Sequence, residues 1–245
     1  MAELDEPIRV AALDFADRMA SFWDRRLGPR LKGFYLIGSL AHGGFSRRYS
    51  DIDMALIAED GLGDADLSGM REHALSISPE LAAKLSLFWA DRNFSVGRFP
   101  PLDRVDLVDH AVALVERERI RPPRPNLWEV RSYLAGFPFE SWADGARRFA
   151  SLAALEARDH KPYLRALLYP ARFLFSWMTG RMGSNDEAVA FVLAQAPPGL
   201  DLELVAGALQ CRRAASDPDP LFPARGQLPG QFEACRRVIE SGGGQ

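Results

Sequence analysis

Residues 38–53, GSLAHGGFSRRYSDID, concentrate groups suited to phosphate and divalent metal. Gly38 ends the apolar run Phe34-Tyr35-Leu36-Ile37, and a glycine there lets the backbone approach another molecule closely. Ser39 adds a hydroxyl beside backbone N–H groups, a combination that cradles phosphate oxygens. Gly43 and Gly44 keep the loop open, and Ser50 precedes the acidic pair as a further candidate nucleotide-binding residue. Asp51 and Asp53 are two residues apart at the start of an expected strand, so their carboxylates project from one face. Such a pair repels itself unless a cation lies between its members. Mg²⁺ seeks hard oxygen ligands and keeps positions open for triphosphate oxygens. Two such ions about 3.5–4 Å apart can clamp the attacking and leaving oxygens of an in-line displacement.

The elements that must hold these groups follow from periodicity. Residues 8–26 read as an amphipathic helix, with Val10, Leu13, Phe15, Met19 and Phe22 toward one side. Strands are expected from Gly33 into the 34–37 run, at 52–57 and 85–89, and a fourth at 104–108. A helix is expected over 72–84, with Pro79 opening a new segment. Beyond Pro122-Pro123-Arg124-Pro125 the pattern becomes helical, with helices expected near 127–134, 141–157, 161–178, 185–194 and 202–213. Gly180 and Gly183 stop the third of these, and Ser184 with Glu187 forms a capping-box pattern. The proline cluster marks a boundary between an α/β domain with a small mixed sheet (1–122) and an all-α domain (126–240). Residues 241–245, SGGGQ, are expected to be disordered.

Composition narrows the function classes. Of 245 residues, 47% are hydrophobic and 26% charged, which supports a globular core. No apolar run approaches the roughly 20 residues that span a bilayer. The acidic start, Met1-Ala2-Glu3-Leu4-Asp5-Glu6, lacks a secretory pattern. Cys211 and Cys235 form no CxxC or Cys/His cluster, which fits a reducing cytoplasm. A net charge of −3 argues against a nucleic-acid partner, and Arg147-Arg148 and Arg212-Arg213 read as solvated faces.

The 34–57 segment resembles the polymerase-β-like nucleotidyltransferases, in which Gly-Ser, a short loop and Asp-x-Asp on the next strand recur. Residues 172–181, RFLFSWMTGR, with Asp186-Glu187-Ala188 after them, look like the helical domain of streptomycin/spectinomycin adenylyltransferases. The resemblance implies two domains, ATP and Mg²⁺ in a cleft, and AMP passed to a hydroxyl of a small molecule. It implies Gly38, Ser39, Ser50 and Arg172 as nucleotide ligands and Asp51 and Asp53 as metal ligands.

The chain departs from that pattern at three places. Asn185 stands where the family has lysine, Ser86 lies where its catalytic glutamate is expected, and the acidic substrate position falls near Pro162, with Asp159 close by. A third carboxylate must then come from elsewhere. Asp106, in a Val-Asp-Leu-Val run like that of simpler members, is the choice for metal and catalysis, with Asp91 as its rival. His42, Arg47 and Arg48 could touch phosphate or face solvent, and Trp89, Trp128, Trp142 and Trp177 are core or stacking candidates. A protein-adenylylating antitoxin and a nucleotide-binding relic that has lost its base are the competing functions. The helical half carries no Arg-x4–6-His motif of a fused RNase toxin.

Overall fold

A computed structural model describes residues 6–242, which divide into two compact units on either side of the Pro125–Asn126 junction. The first unit opens with α1 (Glu6–Leu27), β1 (Leu31–Leu36), α2 (Gly38–His42) and β2 (Ile52–Ala58). It continues through α3 (Asp64–Ile77), α4 (Pro79–Ala82), β3 (Leu85–Asp91), β4 (Gly97–Arg98), α5 (Pro101–His110) and β5 (Val112–Glu116). The strands form one mixed sheet in the order β4-β3-β2-β1-β5, with β2 and β3 parallel and the other neighbours antiparallel.

Both faces of the central strands are covered, which is why they read as nearly continuous apolar runs rather than as alternation. Met54, Leu56 and Ala58 of β2 pack with Ala12, Phe15, Met19, Trp23 and Leu27 of α1 and with Met70 and Ala74 of α3. Ala55 and Ile57 point the other way, to Tyr35, Ile37 and Leu107 of α5. Because side chains alternate along a strand, Asp53 lies on the side that α5 covers. The buried stripe of α1 passes through Ala12, Phe15, Ala16, Met19, Trp23 and Leu27, while Val10, expected on that stripe, is exposed.

Three expectations for this unit are corrected. Residues 104–108 are helical, inside α5. Pro101 sits in its first turn, where the missing N–H costs nothing, and Asp103 favours the positive end of the helix dipole. Four residues of alternation, with Val105, Asp106 and Leu107 all buried, could not distinguish strand from helix. The 72–84 helix starts earlier, at Asp64, and breaks at Ser78, whose hydroxyl accepts from Leu81 N at the start of α4. The short β4 and the edge strand β5 were not anticipated.

The second unit holds α6 (Leu127–Ala135), α7 (Phe137–Ser151), α8 (His160–Thr179), α9 (Asn185–Gln195), α10 (Leu202–Ala214) and α11 (Leu228–Gly242), with a 3₁₀ segment at Asp219–Gln227. Its core is rich in stacked rings: Tyr169 lies against Trp142 and Phe232, and Phe173 against Phe139 and Trp177. Gly180, at φ +65°, closes α8 in the left-handed conformation glycine tolerates best. The Ser184–Glu187 capping box opens α9. Helix α7 begins and ends before the expected 141–157, because Pro138 fits a first helical turn. Helix α11 was not expected; it buries Leu228, Phe232 and Cys235 along one stripe. It takes in Ser241 and Gly242, correcting the expected disorder there, while residues 243–245 and the acidic start at 1–5 lie outside the described residues. No helix among the described residues is long and apolar enough to cross a membrane.

Candidate active site

The turn after β1 sets the geometry. Gly38 has φ +67°, and a Cβ added to it would lie 2.5 Å from Asp53 Oδ2 and 3.0 Å from Asp53 Cβ. A glycine is therefore required on two counts: the backbone is left-handed, and the Asp53 carboxylate occupies the space a side chain would fill. The Ile37 amide donates to Asp53 O at 3.0 Å, which ties the end of β1 to the start of β2. Gly38 and Asp53, fifteen positions apart, are thus brought into contact, and both Asp51 and Asp53 are half-buried there.

Ser50 fastens the intervening loop. Its Oγ accepts from Ser46 N at 2.9 Å, its own amide donates to Ser46 O at 3.0 Å, and its hydroxyl lies 3.0 Å from that of Ser39. Ser50 is itself buried, so its part in this structure is to shape the loop that presents Asp51 and Asp53. Ser39, half-buried in the first turn of α2, is the more accessible hydroxyl of the two. Arg47 is exposed, with its carbonyl accepting from Lys84 Nζ at 3.0 Å, and Arg48 lies over the Tyr49 ring.

Asp106 reaches the same turn from α5. It is 2% exposed, and its Oδ2 accepts from Gly38 N at 2.6 Å. The other oxygen, Oδ1, is 3.6 Å from His42 Nε2. The His42 ring lies 5.2 Å from that of His110, at the other end of α5's last turns. Asp106, expected on a strand, therefore meets Gly38 from a helix, and Asp53 and Asp106 converge on one residue. His42, weighed above as a loop group that touches phosphate or faces solvent, is an 11%-exposed side chain against a buried carboxylate. Sequence reasoning missed the His42–Asp106–His110 grouping; 64 positions separate His42 from Asp106, and no local spacing signals the contact.

Asp91 is placed elsewhere. Its oxygens accept from Ser95 N at 2.6 Å, Val96 N at 2.7 Å, Asn93 N at 3.3 Å and Ser95 Oγ at 2.8 Å, closing the turn between β3 and β4. Those donors hold its carboxyl below the usual range, the Val96 amide foremost, against the opposing effect of burial. In the parallel register Asp53 pairs with Ser86, and Asp91 lies five residues further along β3, roughly 16 Å away at the strand rise. Asp91 is a turn carboxylate, away from the Gly38 loop where Asp53 and Asp106 meet.

Arg172 lies in the second unit, half-buried on α8, where a guanidinium nitrogen donates to Met182 Sδ at 3.8 Å. Of the tryptophans, Trp142 and Trp177 stack within the helical core, Trp89 packs beneath the sheet, and Trp128 is 73% exposed.

No protein-family model matches the chain, and no curated protein matches it. Among solved structures, the spectinomycin adenyltransferase AAD(9) from Enterococcus faecialis, solved with ATP and spectinomycin, is similar over 90% of this chain and 99% of its own. That match has a TM-score of 0.66 and 12% identity. A toxin-antitoxin structure with AMP-PNP and the mutant toxin-antitoxin MntA-HpeT are 21% and 19% identical. Each of these covers 42% of this chain and 75% of its own, with a TM-score of 0.31. The first match shows that the chain has the nucleotidyltransferase fold, an α/β unit with a mixed sheet followed by a helical unit.

Proposed function

We propose that the protein is a Mg²⁺-dependent nucleotidyltransferase that passes AMP from ATP to a hydroxyl of a small molecule. The observation that carries this reading is the packing of the Asp53 carboxylate into the space left by Gly38, at the turn where Ser39 and Ser50 face each other. The donor set fits a hard cation: Asp51 and Asp53 offer oxygen ligands on one strand edge, and Mg²⁺ favours such ligands over nitrogen or sulfur. When bound, it would neutralise the charge of the triphosphate.

The chain's own groups have distinct parts in the reaction. Asp51 and Asp53 would hold the metal. Gly38 and Ser39 bring bare backbone and a hydroxyl to where phosphate oxygens are to lie, while Ser50 keeps that loop in shape through Ser46. Asp106 supplies the third carboxylate in place of Ser86, the residue that lies beside Asp53 on β3. Its bond to Gly38 N fixes it at the loop, and it takes the proton from the acceptor hydroxyl. The acceptor oxygen then bonds to the α-phosphorus, the bond from that phosphorus to the bridging oxygen breaks, and pyrophosphate leaves. Arg172 is assigned to phosphate oxygens, as the helical unit's cationic ligand. Positioning and electrostatics supply most of the rate in such transfers.

The test is calorimetry of ATP binding with and without Mg²⁺, on wild type and on Asp53→Ala, followed by assay of pyrophosphate release with hydroxylated acceptors. Metal-dependent binding that the substitution abolishes is the expected result. Binding that persists unchanged in Asp53→Ala overturns the assignment. A second reading, a nucleotide-binding relic, draws on Ser86, which brings no base to the strand position beside Asp53. Under that reading the wild type binds ATP but releases no pyrophosphate with any acceptor.

A further inference from the structure

The helical unit contains a second group of metal-ligating side chains, unrelated by sequence to the Asp51–Asp53 loop. His160, the first residue of α8, is nine-tenths buried. Asp217, between α10 and the 3₁₀ segment, and Asp219, the first residue of that segment, approach it. Asp217 Oδ1 lies 2.7 Å from His160 Nδ1, and Asp219 Oδ2 lies 3.6 Å from His160 Nε2. One ligand atom from each residue falls within 4.8 Å of the others. The two carboxylates are more than half exposed, so an ion has a route in from solvent.

Two distances separate an ion site from an ordinary charge pair. The Nδ1 contact is a good hydrogen bond, and a carboxylate on one imidazole nitrogen fixes the ring and its tautomer so that the other nitrogen can ligate. The Nε2 separation is too long for a hydrogen bond. It is close to the spacing of neighbouring ligands around a tetrahedral ion: bonds of about 2.0–2.2 Å at the tetrahedral angle put nitrogen and oxygen about 3.4 Å apart. Imidazole nitrogen with carboxylate oxygen suits a borderline transition metal better than Mg²⁺. This set is therefore a poor source for the Mg²⁺ assigned to Asp51 and Asp53.

We propose that His160, Asp217 and Asp219 form a site for a transition-metal ion of the Zn²⁺ class. His160 Nε2 and the Asp219 carboxylate are its protein donors, water fills the remaining positions, and Asp217 orients the imidazole. The site links the start of α8 to the loop that follows α10, segments nearly sixty positions apart, and a bound ion fastens that loop to the helix. Binding to the folded chain alone raises its stability by mass action. This inference is independent of the nucleotidyltransferase reading.

The experiment is a titration of chelator-stripped full-length protein with Zn²⁺, read by calorimetry and by the melting temperature, with Mg²⁺ in excess throughout. One equivalent binds per chain and raises the melting temperature, and Asp219→Asn removes both effects. Asp219 is exposed, so this variant tests the site without disturbing the core, whereas His160→Gln serves as a second variant provided its melting temperature before metal addition matches wild type. Two controls exclude other ligands. Asp51→Asn/Asp53→Asn must still bind the equivalent, and so must Cys211→Ser, because Cys211 Sγ donates to the carbonyl of Ser216, next to Asp217. Absence of Zn²⁺ binding, undiminished binding in Asp219→Asn, or loss of binding in either control overturns the proposal.

Discussion

Asp53 and Asp91 stand near opposite ends of one parallel strand pair, and their surroundings give them opposite work. Asp91 is buried, and four donors from Asn93, Ser95 and Val96 converge on its two oxygens. It is a fastening for the β3–β4 turn. Asp53 is half-buried at the strand's leading edge, beside a glycine whose missing side chain leaves room for its carboxylate. Asp91 collects the donors of its own turn and fastens it, whereas Asp53 packs against the Gly38 turn, where the proposed reading puts the metal. Residue type does not distinguish them; their places in the fold do.

The largest effect that sharpens this contrast is on Asp53 itself. Asp53→Ala is expected to lower nucleotidyl transfer on the order of 100–1000-fold while the melting temperature stays near wild type. Pyrophosphate release and a thermal melt read the two halves of that claim, and a large drop in melting temperature instead would make Asp53 a structural residue like Asp91. Gly38→Ala comes next. It forces a left-handed alanine at a cost of about 1–2 kcal/mol and pushes the Asp53 carboxylate aside. Mg²⁺-dependent ATP binding should therefore fail even in folded protein, and calorimetry that finds wild-type affinity would contradict the close packing of Gly38 on Asp53.

Asp106→Asn keeps an acceptor for the Gly38 amide and removes the charge. Transfer should fall on the order of 100-fold with ATP binding retained, a loss in kcat with little change in KM. Equal kcat in the variant would remove Asp106 from the reaction.

At the other end of the pair, Asp91→Ala removes the charged acceptor of the part-buried bonds from Ser95 N and Val96 N and should cost about 1.5–3 kcal/mol of stability in urea unfolding, with ATP affinity of the folded protein unchanged. The smallest effect is its pH dependence. The Asp91 carboxyl is held below its usual range in the folded chain, so its contribution is complete above the unfolded value near 4 and is lost as the pH falls through the lower folded value. Urea midpoints at pH 7, 5 and 3.5 should fall less steeply at the acid end in Asp91→Asn than in wild type.

The sequence by itself determined the parts that depend on neighbours along the chain. The 38–53 loop, the apolar strands on either side of it, the Gly180 stop and the Ser184–Glu187 cap were all legible, because each is a local pattern of conformation and hydrogen bonding. So was the change from mixed to helical character along the chain. Four-residue alternation misassigned α5, since strand and helix periods cannot be separated over so short a run. Only the tertiary structure decided what meets what. It brought Asp106 from α5 to Gly38 and His42, because the helix packs on the face of the sheet toward which Asp53 points. It set Asp91 at the far end of β3, and it placed Asp217 and Asp219 on His160. Those contacts join residues many positions apart, and burial of apolar faces, which composition alone does not locate, fixes them.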